Sequence, residues 1–96
     1  MKQVLWYLIA GTRGGEMRAR MIMQVKRRPA NANMLAKELA VDYKTVQHHL
    51  GILVENNVFS VVNKGNYGAT YFISEQMEAN YPVFEEIWKQ IGKRLL

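Results

Sequence analysis

The segment from residue 43 to residue 51 is rich in hydrogen-bonding side chains and has no acidic residue. Tyr43, Lys44, Thr45, Gln47 and His48 offer a phenol, an ammonium, a hydroxyl, an amide and an imidazole. Proteins place these groups against base edges and phosphates in the major groove of double-stranded DNA. We therefore predict base contacts from Tyr43, Thr45, Gln47 and His48, with Gln47 as the first candidate, and a phosphate contact from Lys44.

These side chains need a helix that presents them together. Val46, Leu50, Leu53 and Val54 recur at i, i+4, i+7 and i+8, which is the pattern of a helix with one core-facing stripe. The spacing predicts a recognition helix over residues 43–56, in which the polar residues occupy the opposite face. Asp42 precedes it and can act as its N-cap.

A shorter helix precedes the recognition helix. Asn31 is a suitable N-cap, and Leu35 and Leu39 face inward in a helix that ends near residue 40. Two short helices joined by about three residues cross at a steep angle. Residues 31–56 therefore predict a helix-turn-helix.

The chain before this motif has two apolar segments. Residues 4–10 are apolar all round, so their periodicity does not distinguish a short buried helix from a strand. Gly14 and Gly15 interrupt this segment, as glycines in turns do. Residues 16–28 predict a helix that Pro29 ends. Its basic last turn suits the helix dipole and is also compatible with phosphate contact.

Two β-prone segments follow the recognition helix. Residues 58–63 and 69–73 favour strands, and residues 64–68 between them are rich in turn-forming types. This hairpin, residues 58–73, predicts a wing, with Lys64 near its tip as a phosphate contact. The fold class is then mainly α with a small β-hairpin (α+β), a winged helix-turn-helix in a single domain over residues 1–96.

A last helix is predicted over about residues 75–95. Ser74 or Asn80 is a plausible cap, and Pro82 is tolerable only near the helix start. Burying its five large apolar side chains is worth on the order of 10 kcal/mol before entropy is subtracted. Because so small a domain has limited core, we expect a second copy of the chain to cover them, and packing against the chain's own core is the alternative. The candidate dimer-interface residues are Trp6, Leu8, Phe84, Ile87, Trp88, Ile91 and Leu95.

The charge is unevenly distributed along the chain. The formal net charge of +5 divides into +6 for residues 1–64 and −1 for residues 65–96. This asymmetry predicts that one face meets a polyanion, although charge by itself does not separate nucleic acid from an anionic membrane. Further phosphate-contact candidates are Arg13, Arg18 and Arg20.

Several classes of function are disfavoured. The chain has no cysteine, and His48 and His49 are adjacent on one helix and point apart, so no metal or cofactor is expected. No apolar run approaches the roughly 20 residues of a membrane span. Residues 11–13 do not form a small-residue cleavage site after the apolar opening, so we expect a cytoplasmic protein. The sequence also lacks a paired-carboxylate motif, a nucleophile–base spacing and a phosphate-binding glycine loop, which disfavours an enzyme.

The order and spacing of these motifs resemble those of ArsR-type winged-helix repressors. Residues 31–39 contain the leucine-alanine pair of the second helix, residues 42–50 the Thr-Val-x-x-His-Leu of the recognition helix, and residues 53–58 the segment leading into the wing. The similarity extends over residues 4–73 and is closest to small archaeal members that open with Leu-Trp-Tyr-Leu and Gly-Thr-Arg-Gly-Gly. It implies a homodimeric DNA-binding transcriptional regulator whose terminal helices form the dimer.

The sequence departs from that family in two places. Asn57 stands where glycine is usual, which is acceptable because asparagine also tolerates the left-handed conformation. The cysteine pair that senses metals in many ArsR proteins is absent, so metal sensing is not carried over. The alternative function is a winged helix that binds protein instead of DNA. The acid-free segment 43–51 disfavours it, because an apolar or acidic face would be expected there.

Overall fold

The computed structural model describes residues 1–64 and 68–95, with side chains through residue 92. The chain opens with α1 (Lys2–Leu5), which continues directly as a π-helical segment (Trp6–Ala10). Three helices, one hairpin and a long helix follow: α2 (Gly15–Arg27), α3 (Ala32–Leu39), α4 (Tyr43–Glu55), β1 (Phe59–Val62), β2 (Thr70–Ile73) and α5 (Glu75–Leu95). This order is the mainly helical architecture with one hairpin that the sequence predicts.

The segment left open between helix and strand is helical. Gly11 donates its backbone N–H to the carbonyls of Trp6 and Tyr7, at 3.0 and 3.1 Å, and the first of these bonds has the i−5 spacing of a π-helix. Leu5, Leu8 and Ile9 point into the core. The segment is apolar on all sides although only part of its surface is buried. Its sequence therefore has no periodic pattern that would distinguish a helix from a strand.

Side-chain caps define the helix-turn-helix. The Asn31 carboxamide oxygen accepts from the backbone N–H of Met34 at 2.8 Å, which confirms the predicted cap of α3. Ala40 ends that helix in the left-handed conformation, with φ of 55°. Asp42 then caps α4 as predicted, by accepting from the backbone N–H of Thr45 at 3.2 Å. The turn therefore holds Ala40 in a conformation that is strained for a residue with a Cβ. It also packs α4 directly against α3.

The wing is an antiparallel pair. Phe59 pairs with Ile73 at the base and Val62 with Thr70 towards the tip. An isolated bridge between Ala30 and Tyr71 attaches the segment after α2 to the outer side of β2. Asn57, with φ of 57°, adopts the left-handed conformation anticipated for it. The tip residues 65–67, predicted as a turn, lie outside the described residues.

The long helix α5 begins earlier than its proline suggests. Ser74 caps it, because its hydroxyl accepts from the backbone N–H of Met77 at 3.0 Å. Pro82 therefore lies inside the helix and not near its start, so that prediction is wrong. Proline has no N–H, so the Glu78 carbonyl loses its i+4 donor. Packing against the rest of the domain holds the helix together across this position.

Three predicted dimer-interface residues lie in the chain's own core. Leu8, Phe84 and Ile87 are almost completely buried, together with Met77. The reason is that α5 packs against α1 and the π-helical segment of the same chain. These two elements cover the apolar residues on the inward face of α5. These three assignments are therefore corrected. Within the described part of the chain, no helix is long and apolar enough to cross a membrane.

Candidate nucleic-acid interface

One face of α4 is exposed and the other is fully buried. Val46, Leu50 and Leu53 are completely buried in the core. The opposite face, which we call the recognition face, consists of Tyr43, Lys44, Gln47, His48 and Gly51, all of them exposed. Beyond its chain neighbours and the backbone of α4 itself, no atom of the described residues lies within 4 Å of the position of a Cβ on Gly51. The recognition face is therefore free to approach a large ligand closely.

The beginning of α4 is organised by Asp42 and Thr45. The Thr45 hydroxyl donates to the second carboxylate oxygen of Asp42 at 2.5 Å, in addition to the backbone cap. These hydrogen bonds from Thr45 lower the pKa of Asp42 below its ordinary value of 3.8. Thr45 is only partly exposed, and its hydroxyl proton is committed to the cap. Its oxygen can still accept a hydrogen bond from a base or from water.

Two side chains of the recognition face contact each other. The Gln47 amide donates to the Tyr43 hydroxyl at 2.6 Å, across one turn of the helix. Gln47 keeps one N–H and its carbonyl oxygen for a ligand. Tyr43 is 48% exposed and keeps its own hydroxyl proton as a donor. The pair therefore presents two donors and one acceptor at a fixed spacing.

A groove of about 530 Å³ separates α4 from the wing. Tyr43, Gln47 and Gly51 line the helix side, and Val61 and Lys64 line the wing side. Val61 pairs with Tyr71 across the hairpin, and both side chains turn towards this groove. The groove is not evident from the sequence motifs, although the alternation of the strands indicates which of their residues face α4. Glu55 also lines the groove, and among the described residues it is the acidic side chain there.

The basic candidates divide between two sides of the molecule. Lys64 shares the groove with Gln47, whereas Arg13 and His48 line a separate hollow of about 340 Å³ between α4 and the loop before α2. Arg20 lies apart from both and pairs with Glu16 at 2.8 Å. It lines a hollow with Met23, Gln24, Arg27 and Leu39. The structure thus brings Lys64 and Arg13 next to the recognition face and leaves Arg20 away from it.

Arg18 cannot contact a phosphate as predicted. Its side chain is only 4% exposed and is hydrogen-bonded inside the domain. The sequence pattern does not reveal this, because the burial of Arg18 depends on how the loop before α2 folds back and on His49, which lies 31 positions further along the chain. Burial also lowers its pKa below the ordinary arginine value.

The basic end of α2 is used largely within the domain. Lys26 pairs with Glu78 of α5, and its ammonium lies 4.8 Å from the centre of the Tyr81 ring. Arg28 lies 3.7 Å from Glu38 of α3. These contacts favour the structural interpretation of the cluster. Within residues 1–64 and 68–95, no three His, Cys, Asp or Glu side chains are grouped so as to hold a metal ion.

Comparisons with known proteins identify the fold. No protein-family model matches the chain, and no curated protein matches it. The crystal structure of the transcriptional regulator SlyA is similar, with a TM-score of 0.68 and 17% identity, over 95% of this chain and 64% of that one. A possible transcriptional regulator from Methanosarcina mazei Go1 has a TM-score of 0.58 and 21% identity, over 98% of this chain and 81% of that one.

The architecture is therefore a winged helix, of the kind found in these regulators. Both neighbours are named as regulators and neither as an enzyme. The chain spans less than two thirds of the SlyA chain's length, the matched share being 64%. The likeness to ArsR-type repressors stays a prediction from the motifs, because no family model matches.

Proposed function

We propose that this chain is a sequence-specific double-stranded DNA-binding transcriptional regulator that acts as a homodimer. The recognition face of α4 enters the major groove, and the wing contacts the flanking backbone. The observation that carries this proposal is the recognition face itself, which is exposed, free of acidic residues and bordered by Lys64 across the groove. Such a surface combines groups that contact base edges with groups that neutralise phosphates.

The roles of individual residues follow from their positions. Gln47 and Tyr43 lie at the centre of the recognition face and are proposed to contact bases, together with His48 and the partly exposed Thr45. Lys44 on this face, and Lys64 and Arg13 beside it, are exposed and are proposed to contact phosphates. Arg20, which pairs with Glu16 away from α4, is at most a peripheral phosphate contact.

A homodimer is supported by the apolar residues that the domain leaves uncovered. Trp6, Trp88 and Ile91 are only partly buried, and Tyr7 is 64% exposed. All four lie on the N-terminal helical segment or on α5, which pack against each other. The side chain of Leu95, a further candidate, lies outside the described part. The domain measures 37 × 27 × 21 Å, so two copies side by side can place their recognition helices about 34 Å apart, one turn of DNA.

The dimer is tested by two substitutions in α5. Trp88→Ala should convert the dimer to a folded monomer in sedimentation-equilibrium analysis, because Trp88 is partly uncovered within the domain. Phe84→Ala is the matched control and should instead lower the free energy of unfolding by about 3–5 kcal/mol, since it removes a core side chain. A Trp88→Ala variant that sediments as the wild type would place the interface elsewhere.

DNA binding is tested by fluorescence anisotropy with a labelled random-sequence duplex and the matching single strand at several salt concentrations. Tight duplex binding that weakens steeply with salt, with a log–log slope of about −0.9 per neutralised phosphate, supports the regulator. No duplex binding at low salt would overturn it and would favour a protein partner for the same face. If the duplex binds, repeated selection from the random pool then identifies the operator.

A further inference from the structure

A buried guanidinium joins three parts of the chain. From α2, Arg18 donates through Nε to the Leu8 carbonyl at 2.9 Å and through Nη2 to the Thr12 hydroxyl and to the Arg13 carbonyl, the latter at 3.3 Å. Its Nη1 donates to Nδ1 of His49 on α4 at 3.2 Å. The N-terminal segment, α2 and the recognition helix therefore meet at one side chain.

The charge of this guanidinium is balanced without a carboxylate. Within the described residues, no carboxylate oxygen lies within 4.0 Å of Arg18. Its oxygen partners are the Leu8 carbonyl, in the last turn of the N-terminal helical segment where the helix dipole is negative, and the Thr12 hydroxyl and Arg13 carbonyl just beyond that segment. Such oxygens suit a buried cation, because each of these contacts is a charge-assisted hydrogen bond. The position of Arg18 is therefore firmly tied to the end of that helix.

The contact also determines the protonation state of His49. An arginine side chain only donates hydrogen bonds, so Nδ1 of His49 must accept and its proton must reside on Nε2. His49 is only 7% exposed, and burial and the charge of Arg18 lower its pKa below the ordinary value of 6.5. At neutral pH the imidazole is uncharged and the contact with Arg18 is intact.

Gly14 shows how tightly this site is built. Its φ of +89° is a conformation that other residues rarely adopt. A Cβ at this position would lie 2.8 Å from Cε1 of His49 and 3.2 Å from Nη1 of Arg18. The absence of a side chain at Gly14 thus leaves room for Arg18 and His49 to meet.

We propose that Arg18 is a positioning residue for DNA recognition, which holds the recognition helix to the end of the N-terminal helix through His49. This inference rests on the proposed function. His49 is adjacent to His48 of the recognition face, and their rings lie 5.4 Å apart. Because His49 and the recognition face belong to the same helix, a displacement of His49 moves the recognition face with it. Protonation of His49 places a second cation against Arg18 and removes the acceptor, so DNA affinity falls in acid.

Other titratable groups lie around the Arg18–His49 contact. Their contributions to the pH dependence of DNA binding must be distinguished from that of His49. Arg13 and Tyr7 line the adjacent hollow from the N-terminal side, and His48 and Glu55 line it from α4. Among these, His48 is the second imidazole, and it lies on the recognition face, 5.4 Å from the ring of His49. Its own contribution to DNA binding must therefore be separated from that of His49. The experiment therefore removes His48 first.

The test compares three full-length variants in a His48→Asn background by fluorescence anisotropy, from pH 7.5 down to about pH 5. The probe is a labelled duplex selected from a random pool by the wild-type protein at pH 7.5. With His49 intact, affinity should fall by about tenfold over this range, which is the size of a typical coupling between two linked binding events. With His49→Asn, whose carboxamide oxygen can accept in place of Nδ1, affinity at pH 7.5 should be retained and the acid loss should disappear.

His49→Gln is the matched control, because its longer side chain places the amide nearer to the position of Nε2. It should bind weakly at every pH, with no acid loss, while circular dichroism shows that it remains folded. Equal pH dependence in all three proteins, or equal binding by the Asn and Gln variants, would overturn the positioning role. Failure of the wild type to bind any duplex at pH 7.5 would instead overturn the proposed function.

A second measurement does not depend on DNA. Long-range ¹⁵N–¹H NMR of the free protein reports the histidine tautomer, and His49 should have its proton on Nε2. In Arg18→Gln, which keeps a donor but loses the charge, the pKa of His49 should rise towards its ordinary value of 6.5. If the wild-type proton resides on Nδ1, the Arg18–His49 contact does not exist in solution.

Discussion

Gln47 and Tyr43 are joined by a hydrogen bond of 2.6 Å across one turn of the recognition helix. The bond uses one amide proton of Gln47 and fixes the plane of its carboxamide. The remaining N–H and the carbonyl oxygen form the donor–acceptor pair that glutamine uses against N7 and N6 of adenine. The proposed base contact is therefore partly preorganised in the free protein.

We expect Gln47→Ala to change sequence preference more than overall affinity. It removes both groups that face an adenine, so discrimination at one base pair of the operator should drop by about 1–3 kcal/mol. Anisotropy titrations with the operator and its single-base variants measure this effect. Tyr43→Phe, which removes only the hydroxyl, should weaken the same discrimination to a smaller extent. If Gln47→Ala reduced the discrimination equally at every base pair of the operator, Gln47 would not be contacting one particular base.

Lys64→Ala should weaken binding to all duplexes alike, because a wing lysine contacts the backbone and not the bases. The log–log salt dependence should lose about 0.9 of its slope if one phosphate contact disappears. Lys89→Ala removes the same charge from an exposed position on α5 and is the control. If both variants lose the same slope, net charge and not a wing contact accounts for the effect.

Two glycine substitutions should have opposite effects on stability. Gly14→Ala introduces a Cβ 2.8 Å from His49 into a left-handed residue, and should destabilise the fold by about 1–3 kcal/mol. Gly51→Ala lies inside α4 with open space around it, and should stabilise the fold by about 0.5–1 kcal/mol. Urea unfolding measures both. An equally stable Gly14→Ala variant would mean that the loop before α2 differs from the one described.

Stability should depend on pH in a window just below 6.5. The pKa of His49 is lowered in the folded state, so the unfolded chain binds more protons between that lowered value and 6.5. The free energy of unfolding therefore decreases as the pH falls through this window, and His49→Asn should remove the decrease. Urea unfolding at closely spaced pH values checks this. The lowered pKa of Asp42 predicts a separate loss below about pH 3.8.

Features that depend on neighbouring residues were predictable from the sequence. Asn31 and Asp42 each cap a helix through the backbone N–H three positions later, a contact that needs no other part of the chain. The exposed and buried faces of α4 follow from the 3.6-residue period in the same way. Pro82 shows the limit of local rules, since tertiary packing keeps a proline in the middle of α5.

The order of the helices and the hairpin, the caps Asn31 and Asp42 and the acid-free face of α4 follow from local sequence patterns. The burial of Phe84 and Ile87 in the chain's own core depends on tertiary packing, and so does the contact of Arg18 with His49, which lies 31 positions further along the chain. The physical reason is that an apolar or cationic side chain specifies the kind of partner it needs but not which partner. That choice depends on which faces meet when the helices pack.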